Sequence, residues 1–88
     1  MKNEMDTVIK IDGDFVGWDS ADQSLLGLAS NKWAGMGFPT PEQAAKFLDT
    51  LSNNATALSW DALENEYTAE LIEALKDIEH KEVEFEKR

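Results

Sequence analysis

The chain has no cysteine among its 88 residues, one histidine, and only eight lysines and arginines. Without thiols no disulfide can staple the fold, and no thiolate can bind a metal or act as a nucleophile. His80 is the one imidazole, so a serine-type triad would have to use it as base, although it sits among Glu79, Lys81 and Glu82. Two prolines and five glycines are too few for a linker or a low-complexity tract. No apolar run approaches the roughly 18 residues of a membrane span, and the first six residues lack the apolar stretch of a secretory signal. Together these absences lead us to expect a soluble, cytoplasmic protein.

What is present in excess is acid. Eighteen Asp and Glu against eight Lys and Arg give a net charge of −10. From Asp61 to Arg88 there are ten acidic side chains and four basic ones. Such a chain is repelled by phosphate backbones and by anionic lipid surfaces, so direct contact with nucleic acid or membrane is disfavoured and the natural partner is a basic protein. The same charge also serves plain solubility. A content of 42% hydrophobic residues, with three Trp, four Phe and one Tyr, is that of a folded chain, and the length fits one domain, residues 1–88.

The spacing predicts an α+β domain: an N-terminal β-hairpin or small antiparallel sheet, two helices, and a C-terminal edge strand. In "TVIKIDGDFVGWD", Thr7, Ile9 and Ile11 alternate with Val8 and Lys10, and Asp12-Gly13 is a strong hairpin signal. A two-residue loop and a three-residue loop place opposite members of the pair Phe15 and Val16 on the core side. A further short strand falls within 24–38, before or among the glycines of "KWAGMGF". In "PTPEQAAKFLDTL", Thr40 can cap, Pro41 suits the first helical position and Gln43 completes a capping box. Ala44, Phe47, Leu48 and Leu51 share one face, and Ser52-Asn53-Asn54 reads as the end. A second helix begins near Ser59 or Asp61 and runs to about Glu79, on the stripe Trp60, Leu63, Tyr67, Leu71, Ala74, Leu75 and Ile78. After His80, Val83 and Phe85 alternate with glutamates, the pattern of a strand; continued helix is the alternative, since Phe85 lies seven residues after Ile78. Trp18 and Trp60 are expected in the core.

The stretches "TVIKIDGDFVGW" and "GFPTPEQAAKFLDTL" resemble short reading frames of bacteriophages and prophages, over roughly residues 6–51. The resemblance implies a host-defence inhibitor of the anti-CRISPR or anti-restriction type. It transfers no site residues.

Candidate site residues come from the chain itself. On a helix, Glu66, Glu70, Glu73 and Asp77 align in one stripe, with about 5–6 Å between neighbouring Cβ atoms. Splayed carboxylates of that spacing can stand in for phosphates in a basic channel. Against this stands the ordinary solvated helix face, which most charge stripes are. Trp33 and Met36, in a Gly-flanked loop, are candidates for a partner contact, Trp being enriched at binding hot spots and Met adaptable to irregular surfaces; packing into a small core is the alternative. Asp12, Asp14, Asp19 and Asp22 cluster near the hairpin, but Val16 occupies the third ligand position of a calcium loop, so turn chemistry accounts for them better. Asn54-Ala55-Thr56 matches a glycosylation sequon without a secretory signal to give it meaning. No phosphate loop, zinc spacing or nucleotide fingerprint occurs, so neither a cofactor nor an enzyme is expected. The expected function is a non-enzymatic inhibitor of a basic, nucleic-acid-handling protein. The alternative is an antitoxin-like or structural interaction module, including a homodimer through the final strand.

Overall fold

Asp12 and Gly13 both take positive φ, 49° and 90°, as a type I′ turn requires. The computed structural model describes residues 5–88, and in it β1 (Thr7–Ile11) and β2 (Asp14–Trp18) are joined by that two-residue loop, with Ile11 opposite Asp14 and Lys10 opposite Phe15. The register settles which side each residue serves. Ile9, Ile11 and Val16 belong to the main core, while Val8, Lys10 and Phe15 point to the other face. β3 (Leu26–Ala29) pairs antiparallel with β2, and β4 (Val83–Lys87) pairs antiparallel with β1, giving the order β3-β2-β1-β4. The expected α+β class and the terminal strand are both present, and β4 is an edge of the sheet.

Helix α1 (Pro41–Ala57) starts as its sequence dictates: Thr40 is extended and its hydroxyl accepts the Gln43 N–H at 3.2 Å. It buries Ala44, Leu48, Leu51 and Ala55. The expected stop at Ser52-Asn53-Asn54 is overrun. Asn54 does not turn its amide on the local backbone, because that amide donates to the Tyr67 hydroxyl at 3.0 Å.

The second helix is two helices. α2 (Trp60–Leu63) is capped by Ser59, and α3 (Ala69–Lys76) by Thr68. Between them the backbone leaves the helix to serve the edge of β3: the Leu26 N–H donates to the Glu66 carbonyl and the Thr68 N–H to the Leu26 carbonyl, each at 2.9 Å. Burial nonetheless follows the expected stripe, since Leu63, Tyr67, Leu71, Ala74 and Leu75 are all buried. These residues and α1 cover Ile9, Ile11, Val16 and Leu26 to form the core.

The opposite face of the sheet is covered too. A 3-10 turn at Lys32–Ala34 crosses it, so that Val8 is fully buried and Phe15 nearly so. Gly17 allows this: a Cβ there would run into the Ala34 carbonyl oxygen. Downstream, the chain wedges between the splayed ends of β1 and β2. The Met36 N–H donates to the Val16 carbonyl at 2.8 Å, and Thr7 and Phe38 exchange both backbone bonds at 2.8 and 3.0 Å.

The tryptophans depart from expectation. Trp18 is 54% exposed and Trp60 38%, so neither is a core residue. Trp18 ends β2 at the rim of the sheet, and the Trp60 indole N–H reaches Glu64 at 2.7 Å across one turn. Aliphatic side chains fill the interior instead.

Candidate binding surfaces

The hairpin turn and α3 meet at one end of the molecule. There Asp12 and Asp14 from the turn and Glu70 and Glu73 from α3 line a cleft of about 190 Å³, floored by Ile11, Leu28 and Ala74. The turn fixes Asp12: its Oδ1 accepts the Glu82 N–H at 2.8 Å, and its Oδ2 lies 3.6 Å from the Lys81 ammonium. Among the described residues Lys81 is the only cation lining the cleft. Glu82 and Glu84 flank the turn on its other side, where they share a second depression with Lys10 and Asp12. The acidic surface therefore wraps the hairpin tip rather than running along one helix.

The expected stripe is accordingly divided. Glu70 and Glu73 stand together on α3, as the spacing requires. Asp77 terminates α3 with φ −117° and ψ 26°, and its carboxylate lies 2.7 Å from His80 Nδ1. Glu66 lies before the helix and opens on a different groove. Trp33 is 71% exposed on the 3-10 turn, with its backbone N–H held by Asn31 Oδ1 at 2.9 Å. Met36 is half-buried against the core. Trp33 sits on the sheet face opposite the helices, so the structure does not bring it to the acidic cleft.

On that opposite face, Lys10 lies 3.0 Å from Glu86 and 3.8 Å from Glu84, and Lys32 lies 3.3 Å from Glu86. The hydrogen bond from Lys10, and then that from Lys32, hold the Glu86 carboxyl below the ordinary glutamate value. The same bond to Glu86 raises Lys10. Asp19 and Asp22 are occupied by turn geometry. Asp19 accepts the N–H groups of Ala21 and Asp22, and Asp22 accepts both the hydroxyl and the N–H of Ser24, which lowers its pKa. Among the described residues no three His, Cys, Asp or Glu side chains are grouped to hold a metal ion, and no helix is long and apolar enough to cross a membrane.

A third concavity, of about 290 Å³, lies between α1 and the far end of the sheet. Phe47, Thr50, Leu51 and Asn54 form one wall of it, at the i, i+3, i+4, i+7 positions of α1. Trp18, Leu26 and Tyr67 form the rest. Sequence reasoning missed this groove. Phe47 and Leu51 are part of the apolar face read from the sequence, but Asn54 was expected at the helix end, and the opposing wall is set by the bridge between Leu26 and Tyr67, which no periodicity announces.

Comparison with protein-family models, curated proteins and solved structures found no significant match.

Proposed function

We propose that this protein is a non-enzymatic inhibitor that binds a basic, nucleic-acid-handling protein, such as a CRISPR effector or nuclease, and blocks its channel. The observation that supports it is the convergence of Asp12, Asp14, Glu70 and Glu73 on one cleft, with Lys81 as the single cation among the described residues that line it. Two segments distant in sequence, the hairpin turn and α3, carry these carboxylates, so a cationic channel meets an array mounted on folded backbone rather than a flexible tail. Like charges at this density cost stability and raise association rates with a basic partner. The resemblance of residues 6–51 to short phage reading frames supports the same class, acting in the host cytoplasm.

The test is capture of partners from a host lysate on the tagged protein, eluted by rising salt and compared with Glu70→Lys plus Glu73→Lys. We expect a nucleic-acid-binding protein that elutes at moderate salt and is lost by the double variant. Unchanged affinity and unchanged salt dependence in that variant would overturn the proposal.

The exposure of Trp33 favours a second reading, an interaction module that binds by apolar burial. It predicts a partner resistant to high salt and released by Trp33→Ala. A homodimer through β4 has the charge pattern against it: antiparallel pairing centred on Phe85 opposes Glu84 of one copy with Glu86 of the other.

A further inference from the structure

We infer that the groove between α1 and the rim of the sheet is a receptor slot for an arginine side chain of the partner. The inference rests on the proposal that the partner is basic, and it names the residue that partner offers. At about 290 Å³ the groove is at the small end of ligand sites, sized for one side chain rather than for a large cofactor.

Three rings face this space. Tyr67 is buried at the base, Phe47 is half-buried and backed by Phe38 with ring centroids 5.2 Å apart, and Trp18 stands at the mouth with half its surface free. An arginine stem is apolar and its planar head stacks on indole, so such walls suit both of its parts.

The polar groups in the groove mostly accept. Glu66 is the one carboxylate among the described residues that line the groove, and none of those residues is a lysine or arginine. The Ser24 hydroxyl hydrogen is given to Asp22 at 2.6 Å, and that of Thr50 to the Lys46 carbonyl at 3.2 Å. One Asn54 amide hydrogen is given to Tyr67, so the donors that remain are the second Asn54 amide hydrogen and the Tyr67 hydroxyl hydrogen. Lone pairs on Ser24, Thr50, Asn54 and Glu66 are left for a guest that donates. Guanidinium carries five donors and no acceptor. An anion is repelled by Glu66, and a neutral apolar guest leaves the free lone pairs of Ser24, Thr50 and Asn54 without a donor.

Backbone pairing is what brings Trp18 and Glu66 to this groove. Trp18 lies directly opposite Leu26 on β3, and Leu26 in turn bonds the backbone on both sides of Tyr67. One short stretch of backbone pairing therefore places the indole, the phenol and the carboxylate around the same space.

The test uses the isotope-labelled full chain and three small probes: N-acetylarginine amide, its neutral isostere N-acetylcitrulline amide, and N-acetyllysine amide. We expect arginine amide to give saturable shifts of the Trp18 indole N–H and of the Tyr67 and Leu26 amides, with citrulline amide about tenfold weaker and lysine amide between them. Glu66→Gln should bring arginine down to the citrulline level, and Trp18→Ala should abolish the shifts; both positions are exposed enough to leave the fold intact. Equal binding of arginine and citrulline, equal binding of arginine and lysine, or shifts confined to Glu70 and Glu73 would each overturn the inference. These outcomes are independent of the lysate capture. Loss of partner in the α3 double variant together with a silent groove leaves the inhibitor reading standing and removes the slot. Arginine binding in the groove with no acid-dependent partner does the reverse.

Discussion

Leu26 and Tyr67 form a parallel bridge, closed on either side by the 2.9 Å bonds from Leu26 to Glu66 and from Thr68 to Leu26. This contact ends one helix, starts the next, and turns Glu66 away from Glu70 and Glu73. Thr68 then has two duties, since its hydroxyl also accepts the Leu71 N–H as the cap of α3. Thr68→Ala is expected to cost about 1 kcal/mol, the usual worth of an N-cap. Thr68→Ser should retain most of it. Urea unfolding midpoints of the two variants check this.

That bridge also marks what could be read from the sequence. The turn at Asp12-Gly13 and the cap at Thr40 are local signals, and each specified its element, whereas the alternation of Val83 and Phe85 favoured a strand with helix as the alternative. The stripe from Leu63 to Leu75 specified burial correctly yet not continuity, because a break of about one turn returns the next side chain to the same face. Nothing local records that Leu26 claims the backbone around Tyr67. The tryptophans misled for a related reason. Indoles are usually buried, but here Ile9, Ile11, Val16, Leu63, Leu71 and Ile72 fill the interior, leaving large rings at the rim. Of the candidate site residues, Glu70 and Glu73 were legible as neighbours, whereas their meeting with Asp12 and Asp14 is a product of the tertiary fold.

The cluster on the outer sheet face sets a pH dependence. Glu86 is depressed in the folded state, so its contribution is complete above the ordinary glutamate value and is lost as pH falls through the lowered one. Lys10 is raised, so its contribution holds below the ordinary lysine value and fades as pH climbs through the raised one. Thermal midpoints across pH should therefore show a plateau with both limbs sloping down. Glu86→Gln should lower the plateau and converge with the parent at the acid end. Parallel curves throughout would contradict this assignment.

Gly17 is a point of enforced closeness. A methyl group there meets the backbone of Ala34 and Gly35 rather than a flexible side chain. Gly17→Ala is expected to cost about 1–3 kcal/mol, the range of overpacked sites. The loss should be accompanied by faster amide exchange at Met36 and Phe38, whose bonds to Val16 and Thr7 depend on the same close approach.

Exposure of Trp18, Trp33 and Trp60 is testable without mutation. Native emission should lie close to that of the unfolded chain, and acrylamide, a neutral quencher, should reach most of it. A strongly blue-shifted, protected emission would show that one indole is buried.

The wedge at Met36–Phe38 has a kinetic side. If the β1–β2 hairpin continued in its own register, Trp18 would stand opposite Thr7, yet Phe38 holds that position. Thr7 can bond to one of them at a time. The local hairpin, quick to form because its turn is short, is thus a competitor of the finished fold as well as a step toward it. A hairpin zipped through Thr7 and Trp18 would have to reopen at that end before the wedge could enter.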